Sequence, residues 1–125
     1  MGFWVFMFIM CLLTPLTMIF VGKKFSKEPP KNINGVFGYR SSMSMKNNDT
    51  WQFANNTAGK FWFLSGMAIL LVTIVAMLMV TNKSIDLVGK VGGILVGIQI
   101  GLLLSSVFYT ENKLKKNFDK NGNRI

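Results

Sequence analysis

The residues equipped for chemistry are few, and they lie close together in the chain. Arg40 is the one arginine ahead of the C-terminal tail, and Asn34, Gly38, Tyr39, Ser41, Ser44, Trp51, Asn55 and Gly59 surround it in sequence. These types point to recognition rather than bond-making. A guanidinium presents a planar fork of donors that suits a phosphate, a carboxylate or exposed helix carbonyls. Asparagine offers a donor and an acceptor from one side chain, and Tyr39 and Trp51 suit a membrane–water boundary. Nucleophilic catalysis lacks its parts, because without histidine Ser41, Ser42 and Ser44 have no imidazole to activate them. Cys11 is the sole cysteine, so an intrachain disulfide is excluded and a Cys/His metal site is not expected. The stretch from Asp119 to Ile125 looks like the opening of a calcium loop, but Arg124 stands where the turn glycine belongs. No enzyme activity and no cofactor are expected.

The elements that must position these residues are set by apolar blocks. The chain has 125 residues, half of them hydrophobic, and a net charge of +9. The apolar residues are gathered into blocks and the charges fall between them, the pattern of a membrane protein. The blocks run over about 3–21, 61–80 and 87–109. Roughly 20 helical residues cross a hydrocarbon core, so the fold class is all-α, with three transmembrane helices. The whole chain, 1–125, reads as one membrane domain. Residues 22–60 form a structured loop between the first and second spans, and 110–125 form a tail. The first block lacks a basic leader and a small-residue cleavage pattern, so it is read as a retained span. Pro15 is expected to kink it.

Charge orients the bundle. Twelve of the fourteen Lys and Arg lie in the 22–60 loop and the tail, and two, Lys83 and Lys90, lie in the second connection. The positive-inside rule then puts the N-terminus outside and the loop, tail and C-terminus in the cytoplasm. The same charge attracts anionic lipids. It accounts for the basic balance without direct nucleic-acid binding. No span carries a carboxylate, which argues against a proton-coupled antiporter.

Two features address how the spans meet. Gly89, Gly93, Gly97, Gly101 and Ser105 recur every four residues on the third span and predict a groove where another backbone can approach closely. The reading favoured is packing within the protein's own bundle; the alternative is homo-oligomerisation. Gln99 is the one strongly polar side chain at mid-membrane depth and is expected to hydrogen-bond across helices.

The loop is too patterned to be a mere linker. Pro29 and Pro30 favour extended chain, Asn34-Gly35 signals a turn and Gly38 a second bend. Asp49 with Gln52 is expected to cap the second helix, which then runs from near Thr50 to about Thr81. The polar loop residues admit two readings. They line a pocket at the inner membrane surface for a lipid headgroup or a peptide, or they bond one another and staple the loop to the span ends. The second is favoured, since a long loop in a small protein needs internal staples.

The string Asn34, Gly38, Tyr39, Arg40, Ser41, Ser44 and then Trp51, Ala54, Asn55, Gly59, Lys60 resembles the signature of the SdpI family of bacterial membrane proteins. The family's prototype has six spans, and this chain resembles its C-terminal half. What the resemblance implies is a membrane immunity or signalling protein that protects a Gram-positive producer against a secreted antimicrobial (SDP-type) peptide toxin, with a cytoplasmic transcriptional repressor as a further partner. The alternatives are a small oligomeric transport or pore subunit, and a lipid-binding or lipid-modifying membrane protein.

Overall fold

A computed structural model describes residues 2–31, 33 and 38–125. Three helices account for most of them: α1 (Gly2–Lys27), α2 (Asn48–Met79) and α3 (Ile85–Asn117). Each is long and apolar enough to cross a membrane, and together they form an all-α three-helix bundle of a multi-pass membrane protein. All three outrun the bilayer. The 32 residues of α2 rise about 48 Å, against a hydrocarbon core of about 30 Å. The excess lies at one end, where the C-terminus of α1, the N-terminus of α2 and the C-terminus of α3 meet. Twelve of the fourteen basic residues also belong to that end, so we call it the basic end.

The helix limits differ from the sequence expectation in instructive ways. The loop expected over 22–60 is helical at both ends: α1 continues to Lys27, beyond its expected limit, whereas α2 begins at Asn48, within two residues of the start near Thr50 that the sequence predicts. The tail expected over 110–125 is helical as far as Asn117. Hydropathy locates the buried part of a span, whereas the helix continues until its backbone finds a cap. For α2 that cap is Asn47 rather than Asp49. The Asn47 side chain accepts from Thr50 N (2.9 Å), and Thr50 Oγ1 accepts from Asn47 N (3.1 Å). This reciprocal box leaves Gln52 free to bond elsewhere.

Glycines bring α1 and α2 together, though not those of the ladder. A Cβ at Gly22 would meet the backbone of Phe63 at 2.5 Å and of Gly59 at 2.6 Å; one at Gly59 would meet Phe25 at 2.8 Å, and one at Gly66 would meet Ile19 at 2.9 Å. Apolar side chains gain little by leaving lipid for protein, so such close backbone approach is what drives association in a membrane. The ladder on α3 behaves otherwise. A Cβ at Gly93, Gly97 or Gly101 would meet nothing within 4 Å, and one at Gly89 would only touch the Phe3 ring. Packing of these glycines within the protein's own bundle is therefore corrected: three of the four lie on an outer face, while Gly92, one position off the ladder, receives Met7 and Cys11.

Most polar side chains inside the bundle are paired, Thr110 Oγ1 being the buried exception among the described residues. Gln99, 2% exposed, donates from Nε2 to the carbonyl of Cys11 (2.8 Å). Pro15 lies four residues beyond Cys11 inside α1 and has no N–H, so that carbonyl has no intrahelical donor. A side chain from α3 supplies the missing bond. Trp62 Nε1 donates to Ser106 Oγ (3.0 Å), joining α2 to α3. At the opposite end from the basic one, Trp4 Nε1 donates to the carbonyl of Met77 (2.8 Å). There Cys11, Met77, Val80, Val88 and Leu95 form an apolar cluster.

Candidate functional site

At the basic end the described residues between α1 and α2 cover the helix ends as a cap. Its first anchor is Pro30. Pro29 and Pro30 cannot donate from their backbone, and the Pro30 carbonyl accepts both Trp51 Nε1 (2.8 Å) and Gln52 Nε2 (2.9 Å) from the first turns of α2. Trp51 is wholly buried beneath this segment. Asn56 Nδ2 donates to the carbonyl of Ser26 (2.6 Å), tying α2 to the end of α1.

Asn55 is the centre of the cap. It is fully buried, and both ends of its amide are used. Oδ1 accepts from Tyr39 N (2.6 Å), while Nδ2 donates to the carbonyls of Tyr39 (3.2 Å) and Trp51 (3.0 Å). An amide is the one neutral side chain that mimics a peptide group in this way. The chain can approach Asn55 so closely because the preceding residue is Gly38. Its φ is +102°, and a Cβ there would meet Asn55 Oδ1 at 2.8 Å.

Beyond Gly38 the cap reaches α3. The Tyr39 hydroxyl donates to Glu111 Oε2 (2.7 Å), and Ser41 Oγ donates to the same oxygen (2.8 Å). Burial, reinforced by Glu111, pushes the Tyr39 hydroxyl well above its usual range, so it remains a neutral donor at physiological pH. Ser44 closes a local turn: Oγ accepts from Ser41 N (2.8 Å) and donates to the Ser41 carbonyl (3.0 Å), and the Ser44 carbonyl accepts from Thr50 Oγ1 (3.0 Å). Tyr39, Ala54, Ala58, Leu114 and Phe118 form the apolar floor.

The residues after α3 complete the cap. Asp119 Oδ1 accepts from the amides of Asn121 (2.9 Å) and Asn123 (3.0 Å). This carboxylate turns the chain back, and Asn47 Nδ2 then donates to the Gly122 carbonyl (2.8 Å). Arg124 meets Asp49 through two parallel bonds of 2.9 Å and lies over the Phe118 ring. The calcium-loop resemblance is thus a carboxylate-capped turn with an ion pair.

Of the residues singled out by sequence, Gly38, Tyr39, Ser44, Trp51 and Asn55 converge here, Gly59 lies one turn further along α2 against α1, and Gln99 lies deeper in the bundle. Arg40 lies on the cap with its side chain exposed. Asn34, and the turn expected at Asn34-Gly35, lie outside the described residues. Sequence reasoning missed Glu111, Asp49 with Arg124, and the Pro30 carbonyl. Glu111 carried a weak signal as the one acid between Asp86 and Asp119; nothing in its spacing named Tyr39 and Ser41 as its partners. Among the described residues no three His, Cys, Asp or Glu side chains gather as a metal site.

A curated relative, the Bacillus subtilis (strain 168) protein YfhL, itself described as uncharacterized, is 40% identical over 52 residues, which cover 42% of this chain and 47% of that one. The match thus spans about half of the relative's length. No solved structure matches the chain. The model of the SdpI/YfhL protein family matches residues 31–110, from just after the cap's first anchor through the end of the third apolar block, and the chain belongs to that family.

Proposed function

We propose that this protein is a membrane immunity and signalling protein that protects its cell against a secreted antimicrobial peptide of the SDP type, without catalysis. One observation carries the reading: the signature residues Gly38, Tyr39, Ser44, Trp51 and Asn55 converge on a single buttressed cap that leaves the Arg40 side chain exposed at the basic end. In this reading the loop and tail face the cytoplasm, as the distribution of positive charge favours. Asn55, Tyr39 and Glu111 hold the backbone on either side of Arg40, so that its guanidinium is presented at a defined place rather than on a loose loop. The guanidinium then engages the peptide, or an anionic lipid it needs, and a cytoplasmic repressor is the partner that reads the occupied cap.

The test is survival of a sensitive bacterium expressing the chain, challenged with an SDP-type toxin and with a panel of other membrane-active peptides. Protection that fails in Arg40→Ala at equal expression is the expected result. No protection against any peptide, with the protein shown to be inserted, would overturn the reading.

A second reading, an oligomeric pore or transport subunit, is favoured by the open face at Gly93, Gly97 and Gly101. Gly97→Ile separates the two. It dissolves an oligomer built on that face but leaves a monomeric immunity protein active.

A further inference from the structure

A second polar feature lies at the basic end, outside the cap. Asn56, Thr57 and Lys60 of α2 and Tyr109, Lys113 and Asn117 of α3 line an open groove of about 280 Å³. The spacing explains why they share it, since 56, 57 and 60 fall on one face of α2, and 109, 113 and 117 recur every four residues on α3. The volume is at the small end for ligand sites. It suits a headgroup rather than a whole lipid.

The electrostatics of the groove are one-sided. Lys60 and Lys113 reach it from different helices, and among the described residues neither is paired with a carboxylate; the ion pair at this end is Arg124 with Asp49. Glu111, the nearest acid to Lys113 in sequence, is turned to Tyr39 and Ser41. The Lys113 ammonium lies 5.7 Å from the centre of the Tyr109 ring, and that ring packs 5.3 Å from Phe61. Two cations are thus held at one concave site without a counter-charge, and an anion placed between them relieves their repulsion.

Depth selects the kind of anion. Residues 61–82 and 91–110 are free of charge, so Lys60 and Lys113 mark the level at which both helices leave the hydrocarbon. One turn deeper on α2, Leu64 is 69% exposed, and Phe108 on α3 is 73% exposed. The groove therefore offers cations and polar groups at headgroup level with bare apolar helix below, the profile of a lipid whose phosphate is anchored and whose chains run along the protein. We propose that this groove binds the phosphate headgroup of an anionic phospholipid, with Lys60 and Lys113 on either side of the phosphate and Thr57 and Asn117 as its neutral neighbours. Such a site would fix the depth of α2 and α3, and it does not depend on protection against a toxin.

The experiment is native mass spectrometry of the full chain in mild detergent, titrated with phosphatidylglycerol, with phosphatidylcholine, and with phosphatidylglycerol in the presence of inorganic phosphate. The wild type is compared with K60Q/K113Q and with K31Q/K46Q, which removes the same charge from exposed positions outside the groove. All four lysines are exposed, so both variants fold, as unchanged helical circular dichroism would verify. The expected result is one saturable phosphatidylglycerol per chain for the wild type and K31Q/K46Q. Binding to K60Q/K113Q should be about 30-fold weaker, the factor for about 1 kcal/mol per lysine at a membrane surface. Equal weakening in both variants would overturn the proposal, since binding would then follow total charge. Equal affinity for phosphatidylcholine would overturn it too, and so would displacement of the lipid by inorganic phosphate at matching concentration, which would mark a site for the free anion.

Discussion

The bond from Gln99 to the Cys11 carbonyl makes a quantitative prediction. Pro15 removes the donor that this carbonyl would otherwise have, and the 2.8 Å contact from Gln99 Nε2 replaces it. Hydrogen bonds between membrane helices average about 0.6 kcal/mol and reach about 1.7, the low mean reflecting alternative partners. Here the carbonyl has no alternative, so Gln99→Leu should cost about 1.5 kcal/mol, near the top of that range. In a Pro15→Ala background the new N–H at position 15 can donate to Cys11 O, and the same Gln99→Leu change should then cost only about 0.5 kcal/mol. The expected coupling is therefore about 1 kcal/mol. The assay is a double-mutant cycle: four proteins unfolded reversibly in mixed micelles by rising dodecyl sulfate, with helix content followed by circular dichroism. A coupling below about 0.3 kcal/mol, the level at which independent sites add, would refute the account in which Gln99 serves the proline.

Glu111→Ala deprives the Tyr39 and Ser41 hydroxyls of their shared acceptor and should destabilise the protein by about 2–3 kcal/mol, the scale for bonds to a charged group, read by the same unfolding titration. Gly22→Ala should be strongly destabilising because its Cβ would meet α2 backbone at 2.5 Å, whereas Gly97→Ala, open for 4 Å around, should leave the monomer's stability unchanged. The pair is compared by thermal aggregation in one detergent. Arg124→Ala should cost about 1 kcal/mol or less and lose its effect in high salt, because the ion pair with Asp49 is half exposed on both sides. Tyr39 ionises above the usual tyrosine range. Its neutral form is favoured by folding, so its contribution is full below about pH 10 and is lost as pH rises through the folded value. Tyr39→Phe should therefore remove the late component of the tyrosinate absorbance; an unchanged titration curve would contradict the buried bond to Glu111.

Much of this protein is determined by its sequence alone. Charge-free runs of about 20 residues can only be helical spans in a bilayer, because lipid offers the backbone no partner. The three helices and the bunching of positive charge at one end follow directly from that. The signature residues from Gly38 to Gly59 also stood out in sequence, since glycines, asparagines and aromatics at fixed spacing mark close approach and paired amides. What the sequence could not decide was partnership across the bundle. The glycine ladder and the set formed by Gly22, Gly59 and Gly66 offer the same absence of a side chain, and only the relative rotation of the helices put one inside and the other outside. Pro15 and Gln99 stood out separately, but their connection requires two residues far apart in the chain to meet at one carbonyl. The same holds for Glu111 with Tyr39 and Ser41, and for Lys60 with Lys113. Local pattern specifies each helix because its hydrogen bonds are local. The contacts between helices depend on which faces fit closest, and that is a property of the assembled bundle.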